Sequence, residues 1–321
     1  MSSDRDQITE VSESDASTTY PIERRVWEGR TAFQDVAIVD SATYGRMLFL
    51  DGELQSASAD EKIYHSSLVH PVMGRLENPL EARVLVVGGG EGATVREVLR
   101  WKPAWVDWVD IDGELVTICE RYLCWAADVR DHPRVRYAAT DIRDWFAAVS
   151  GLASSEASHS GNTAVGGRGP GSGPPSAISD ILDVGNAIYD VIILDLPDPD
   201  GDTGYLYSPD FWRDVQKFLK VDGLFVTHVG PVRPFGGLGE GARRVLETTK
   251  EAGLKLTRDG FYHIGIPSFQ GEWGFWMGCA DGETPDTRVT VLADEVVADA
   301  AQLAAWQRPS GIWQREMGRL F

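Results

Sequence analysis

The chain is poor in cysteine, poor in positive charge for its size, and has no long apolar run. Three cysteines among 321 residues, Cys119, Cys124 and Cys279, are too few for a disulfide framework. The opening stretch has no apolar leader, and the odd cysteine count then fits a reducing, cytoplasmic compartment. Cys119 and Cys124 fall on different faces of one predicted helix, and no nearby pair of histidines completes a zinc site, so no metal is expected. Lys and Arg number 30 against 49 Asp and Glu, a net charge of −19. Nucleic-acid binders draw affinity from cations that neutralise phosphates, so this deficit argues against one. It also disfavours an anionic membrane surface and leaves polycations as natural partners. The longest apolar runs, Val84–Val87 and Val191–Leu194, are strand-sized and cannot cross a bilayer.

What is present is organised in blocks. Residues 1–19 are acidic and Ser-rich and read as a floppy tail. Residues 20–79 read as a small β-hairpin domain followed by a helix, Glu61–Met73, with Ile63, Leu68 and Val69 on its apolar side. Its turns are expected at Asp40-Ser41 and Asp51-Gly52. From residue 80 to 286 the grammar changes. Apolar strands (RVLVVGG, WVDWVDI, VRYAAT, YDVIILD, GLFVTHV) alternate with helical stretches (Ala93–Trp101, Gly113–Tyr122, Ile142–Val149, Pro209–Leu219, Glu240–Glu251). That alternation predicts an α/β fold: a Rossmann-like, doubly wound and mostly parallel sheet. Ser154–Ser176 carries six Gly, six Ser and three Pro among 23 residues, and reads as a disordered insertion. Residues 287–321 form a tail with an Ala-rich helical stretch, Asp294–Trp306, to which no chemistry is assigned.

The sharpest local signal is Ala82–Ala93, a strand entering a glycine turn and then a helix. Gly88, Gly90 and Ala93 fit a loose dinucleotide fingerprint, and Asp110, at the end of the next strand, is placed to hold ribose hydroxyls. Glu91 argues against a pyrophosphate, which wants bare N–H groups and the positive end of a helix. An adenosine carrying a sulfonium or an amine fits that acid better. Asp141 ends the third strand, and Asp195 and Asp198 follow the fourth. One such acid is commonly a turn former or helix cap. Acids at successive strand ends, on the edge where open α/β sheets bind ligands, point to a cation site.

The ordered set LDGELQSASADEKIYH, VLVVGGGEGATVREVLR, VDIDGELV, DLPDPDG, LYSPDFWRDVQKFLKVDGLFVT and IPSFQGEWGF resembles the polyamine aminopropyltransferases, the spermidine synthase family. The likeness runs from Val26 to Ala280, apart from the insertion. It implies aminopropyl transfer from decarboxylated S-adenosylmethionine as co-substrate to a polyamine, releasing methylthioadenosine, with no prosthetic group and no metal. By motif, Asp195 is the catalytic acid that takes the amine proton and Asp198 helps hold the acceptor. Glu91 and the turn glycines Gly88 and Gly90 belong to the donor site, with Asp110 on ribose, Asp141 on adenine and Gln55 also on the donor. Tyr64 and His65 would line the junction of donor and acceptor. For Tyr64, a core tyrosine with a satisfied hydroxyl remains the alternative.

The departures are as informative. The family commonly reads GGGDG, and DSSDP or DSTDP, where this chain has Glu91 and Leu196-Pro197. Its acceptor-site tyrosine is Phe269 here, followed by Trp273, and its usual glutamine is His228. These variants resemble the thermospermine synthase branch. A lost hydroxyl and added aromatic walls suit spermidine, a longer acceptor than putrescine. His228 reads as either a pH-sensitive polyamine contact or a neutral hydrogen-bonding stand-in, with the second favoured. Spermidine synthesis from putrescine is the alternative reading. A methyltransferase is a weaker one, because Glu91 would repel the carboxylate of ordinary S-adenosylmethionine, and a silent polyamine-binding protein is weaker still, because Asp195 is kept. A homodimer or homotetramer is expected by family analogy, with the hairpins as the contact.

Overall fold

The computed structural model describes residues 6–11, 17–123, 125–126, 128–157, 188–199, 204–232, 239–254, 256 and 260–281, with side chains omitted for 151–157. Cys124, residues 287–321 and most of the Ser154–Ser176 segment lie outside the described residues. Among the described residues, no helix is long and apolar enough to cross a membrane.

The first finding corrects the reading of residues 1–19 as a floppy tail. Strand β1 (Gln7–Val11) pairs antiparallel with β2 (Ser17–Pro21), Gln7 opposite Pro21. Alternation of the pleat buries Tyr20 while Thr19 and Pro21 face out, a pattern that composition hides in an acidic, Ser-rich stretch. Strands β3 (Arg24–Arg30), β4 (Asp35–Ser41), β5 (Gly45–Leu50) and β6 (Glu53–Ala57) then form an antiparallel meander. Asp51 and Gly52 both take positive φ, 50° and 88°, as a tight two-residue hairpin requires. The earlier turn lies beyond Asp40-Ser41, because Ser41 still pairs with Gly45.

Helix α1 (Glu61–Met73) has the predicted bounds but not the predicted single apolar side. Eleven of its thirteen residues are buried, including Glu61, His65 and His70, whereas Ile63 is only half-buried. The helix packs against both the following helix and the central sheet, so polar side chains on it must find partners inside the protein.

The second unit runs β7 (Arg83–Gly88), α2 (Ala93–Arg100), β8 (Trp105–Asp110), α3 (Gly113–Tyr122), β9 (Val135–Ala139), α4 (Ile142–Ala157), β10 (Tyr189–Asp195), α5 (Pro209–Phe218), β11 (Leu219–Val232), α6 (Glu240–Glu251), β12 (Phe261–Ile266) and β13 (Gly271–Cys279). The sheet order is β12-β13-β11-β10-β7-β8-β9, parallel from β11 to β9. An antiparallel edge, β13 and β12, completes it and was not read from the sequence. Helix α4 also continues past its predicted end at Val149.

Alternation along β7 explains the two layers. Val84 and Val86 enter one core with α1 and α2, and Leu85 and Val87 the other, with α4, α5 and α6. Both faces are covered, which is why β7 and β10 read as unbroken apolar runs. The order reverses between β10 and β7, and the crevice beyond their carboxyl ends is where such sheets bind ligands.

Candidate active site

A cavity of about 550 Å³ occupies that crevice. The strand ends of β7, β8, β9 and β10 form its floor. The β5–β6 hairpin and Glu10 of β1 close one side, and the turn Pro267–Phe269 with Trp273 closes another. Every site residue singled out from the sequence lines it: Gln55, Tyr64, His65, Gly88, Gly90, Glu91, Asp110, Asp141, Asp195, Asp198, His228, Phe269 and Trp273.

The floor is built by register. Asp195 of β10 stands opposite Gly88 of β7, and the Gly89 N–H donates to the Asp195 carbonyl at 2.8 Å. Gly88 has φ +79°, and a Cβ there would sit 2.1 Å from that carbonyl oxygen, so only glycine brings the loop so close. Asp110 accepts from the Asp112 N–H at 2.8 Å. Burial pushes its carboxyl up to about 6. Asp112 caps α3 through Leu115 and accepts from Thr31 at 2.6 Å and Gln34 at 2.9 Å, tying the β3–β4 turn to the floor. Asp141 is gripped by the Arg143 backbone N–H and guanidinium, 2.8 and 2.6 Å away. Those contacts hold its carboxyl below the ordinary range. Gln55 donates from Nε2 to the Glu53 carbonyl at 3.4 Å.

At the centre, Asp195 has both oxygens engaged. Oδ1 accepts from Tyr64 at 3.0 Å and Oδ2 from the buried Thr94 at 2.6 Å. Next to Tyr64 on α1, His65 is 2% exposed and bridges two acids. Its Nε2 lies 2.5 Å from Glu91 Oε1 and its Nδ1 3.1 Å from Glu61 Oε2. Glu61 in turn receives Arg96 from α2 at 2.8 Å. Glu91, an acid awaiting a cation in the sequence, thus meets the His65 ring on one oxygen. Its other oxygen, Oε2, is buried and has no hydrogen-bond partner among the described residues.

The remaining wall is aromatic. Phe269 lies 4.6 Å from Trp273 and 6.0 Å from Tyr64 between ring centroids. The His228 ring stands 6.4 Å from Trp273 and near-parallel to it, and 6.1 Å from Tyr64. His228 donates from Nε2 to the Leu196 carbonyl at 2.5 Å, with Nδ1 3.5 Å from Asp198. The turn carrying Phe269 is fixed from below. Asp60 accepts from the Ser268 N–H at 2.7 Å and hydroxyl at 2.9 Å, and Tyr20 donates to the Ser268 carbonyl. Glu10 faces the cavity beside Tyr20, and burial, with Glu53 nearby, raises its carboxyl.

Thr94, Glu61, Arg96, Glu10, Gln34 and Asp112 were missed by sequence reasoning. Glu61 and His65 carried a signal, being an acid and a histidine at i,i+4 on one helix. Thr94 also had one, in the first turn after the glycine loop. Glu10 had none, because its strand was read as tail.

The arrangement resembles known proteins in sequence and in fold. Residues 61–150 match the spermine/spermidine synthase domain, and residues 8–58 the spermidine synthase tetramerisation domain. A polyamine aminopropyltransferase of Synechococcus is 32% identical over 263 residues, covering 80% of this chain and 71% of the relative. A thermospermine synthase of Arabidopsis thaliana is 29% identical over 278 residues, 85% of this chain and 69% of the relative. A spermidine synthase solved with the transition state analogue AdoDATO superposes with a TM-score of 0.75 at 20% identity, covering 99% of this chain and 96% of that one. That likeness shows the fold, a small antiparallel β unit before a mostly parallel sheet. Sequence likeness across most of both chains carries the rest: this chain belongs to the polyamine aminopropyltransferases.

Proposed function

We propose that the enzyme transfers the aminopropyl group of decarboxylated S-adenosylmethionine to spermidine, giving thermospermine or spermine and methylthioadenosine. In this reading the nucleoside lies over the strand ends, with Asp110 on its ribose, Asp141 and its loop at the adenine, and Gln55 and Glu91 along the aminopropyl side. The acceptor enters between Phe269, Trp273 and His228, with Asp198 on one of its ammonium groups.

The chemistry is a displacement. An acceptor amine uses its lone pair to form a bond to the propyl carbon next to sulfur. The carbon–sulfur bond breaks and its electron pair returns to sulfur, leaving a neutral thioether. The proton shed by the nitrogen goes to Asp195. An aliphatic ammonium titrates near ~10.4 in model compounds, so the acceptor must lose a proton before attack, and the fixed carboxylate of Asp195 is the base that accepts it. Alignment of the two substrates in one cavity supplies much of the rate.

The single observation that carries the acceptor assignment is the wall of Phe269, Trp273, Tyr64 and His228 facing Asp198. Aromatic faces hold an alkylammonium by cation–π attraction without a hydroxyl to anchor a short diamine. Incubation with decarboxylated S-adenosylmethionine and either putrescine or spermidine, followed by chromatography that resolves the two tetraamines, tests it. Turnover of putrescine alone rejects the spermidine assignment, and turnover of neither rejects the activity. The tetramerisation-domain match over residues 8–58 supports assembly through the N-terminal strands, which sedimentation of the full chain tests.

A further inference from the structure

Four side chains between the glycine loop and the buried end of α1 alternate in charge: Arg96, Glu61, His65 and Glu91. Arg96 grips Glu61 with two N–H groups, at 3.1 Å to Oε1 and 2.8 Å to Oε2. His65 Nδ1 lies 2.6 Å from the Glu61 backbone carbonyl, an oxygen with no proton to give, so Nδ1 carries the hydrogen. Its Nε2 meets Glu91 at 2.5 Å, and an ionised Glu91 requires a hydrogen there too. The ring is then an imidazolium between two carboxylates. Glu91 Oε2 is left unpartnered on a side chain only 8% exposed, at the cavity wall.

We propose that Arg96 and Glu61 are positioning residues which, through His65, hold Glu91 ionised in one orientation with Oε2 presented to the primary ammonium of the nucleoside co-substrate. This rests on the reading that Glu91 meets the amine of the donor. A buried carboxylate with no cation beside it takes up a proton instead. Burial, with Asp195 and Glu61 nearby, leaves the Glu91 carboxyl raised above its ordinary value, and the charge on His65 is the influence that opposes the rise. Burial likewise opposes charge on His65, but Glu91 and Glu61, with Asp195 nearby, outweigh it and raise the ring well above its usual range. Arg96, which also pairs with Glu97 at 2.8 Å, anchors the far end, and the ammonium continues the alternation beyond Glu91.

Calorimetry with two nucleosides tests the proposal: decarboxylated S-adenosylmethionine, which carries the amine, and methylthioadenosine, which does not. Glu61→Gln is expected to weaken the first about tenfold or more, the scale of one charge-assisted hydrogen bond, and to leave the second unchanged. Arg96→Lys keeps the charge but loses the two-pronged grip, and gives a smaller loss of the same kind. Nitrogen-15 NMR of the full-length enzyme is expected to show His65 doubly protonated at neutral pH in the wild type. Equal weakening of both nucleosides in both variants, no weakening of either, or a neutral His65 ring in the wild type overturns the relay. If Glu61→Gln does not fold, Arg96→Lys and the wild-type ring decide the question in its place. Glu91→Gln separates the two claims: if it fails to discriminate between the nucleosides, the donor-amine reading of Glu91 is wrong, whatever Glu61 does.

Discussion

The Tyr64 phenol donates to Asp195 Oδ1 at 3.0 Å, joining the helix that follows the N-terminal meander to the end of β10. Thr94 donates to the other oxygen, so the carboxylate cannot turn about its χ2 axis without losing a bond. Burial, and then the charge on Asp195, raise the Tyr64 phenol well above its ordinary value. It therefore stays a donor throughout the working pH range. The hydroxyl of this buried tyrosine is satisfied, and the acceptor that satisfies it is a carboxylate lining the same cavity.

Removing the proposed proton acceptor and removing its holder should differ in size. Asp195→Asn is expected to lower kcat by at least ~10²-fold, the usual scale for a lost general base. Tyr64→Phe leaves the carboxylate and costs one hydrogen bond, so a fall of about tenfold is expected. Steady-state rates with saturating donor and acceptor check both. Near-wild-type turnover of Asp195→Asn would remove that residue from the chemistry.

Nucleoside binding should follow the titration of Asp110. Burial puts this carboxyl near 6, and only its ionised form accepts hydrogen bonds from two ribose hydroxyls. Affinity for methylthioadenosine is therefore full above that value and falls as pH drops through it. Asp110→Asn should bind more weakly at neutral pH and show a flat profile over the same range. Calorimetric titration of both proteins from pH 5 to about 8, where the unperturbed carboxyl would already be ionised throughout, makes the comparison. Parallel slopes in the two proteins would assign the dependence elsewhere.

Strand periodicity made the central sheet legible, because β7 and β10 at its middle are buried on both faces and carry the uninterrupted apolar runs Val84–Val87 and Val191–Leu194. The acids at their ends followed from topology alone. What the sequence hid was pairing. Nothing in GGGEG announces that His65 will reach Glu91, because the contact depends on how α1 docks against the glycine loop. The β1–β2 hairpin was invisible for a different reason. Its strands are five residues each and mostly polar, and their stability comes from Tyr20 packing on Phe49 and Tyr44, contacts with a later part of the chain. The antiparallel edge was missed because β12 and β13 carry histidine, glycine and tryptophan where the parallel strands carry valine and isoleucine.

Acceptor preference should shift with the aromatic wall. Phe269→Tyr restores a hydroxyl beside Tyr64 and is expected to raise the putrescine-to-spermidine ratio of kcat/KM severalfold. Trp273→Ala removes the ring stacked near His228 and should raise KM for spermidine about tenfold, on the scale of a desolvated cation–π contact with its packing. Donor KM should stay unchanged in both, which separates a local effect on the acceptor from collapse of the cavity.

Acid stability offers a readout independent of turnover. Burial opposes ionisation of Glu61, but His65 and Arg96 overcome it and hold the carboxyl at about 2. A folded value below the unfolded one means that the native state binds fewer protons. The resulting stabilisation is complete above the unfolded value of 4.5 and is lost as pH falls through 2. For this buried group the difference amounts to roughly 3 kcal/mol. Asp110 and Asp107 act in the opposite sense: burial raises each to about 6, so their ionisation costs stability as pH rises from 3.8 through 6. Urea midpoints, measured at one protein concentration, should therefore differ between the wild type and Glu61→Gln by the full amount above 4.5 and by progressively less as pH falls toward 2, because Asp110 and Asp107 contribute equally to both proteins. Glu61→Gln should be less stable at neutral pH and lose less stability on its acid limb below 4.5 than the wild type does. An unchanged acid limb in that variant would mean that the Arg96–Glu61–His65 cluster does not hold Glu61 ionised in the folded protein.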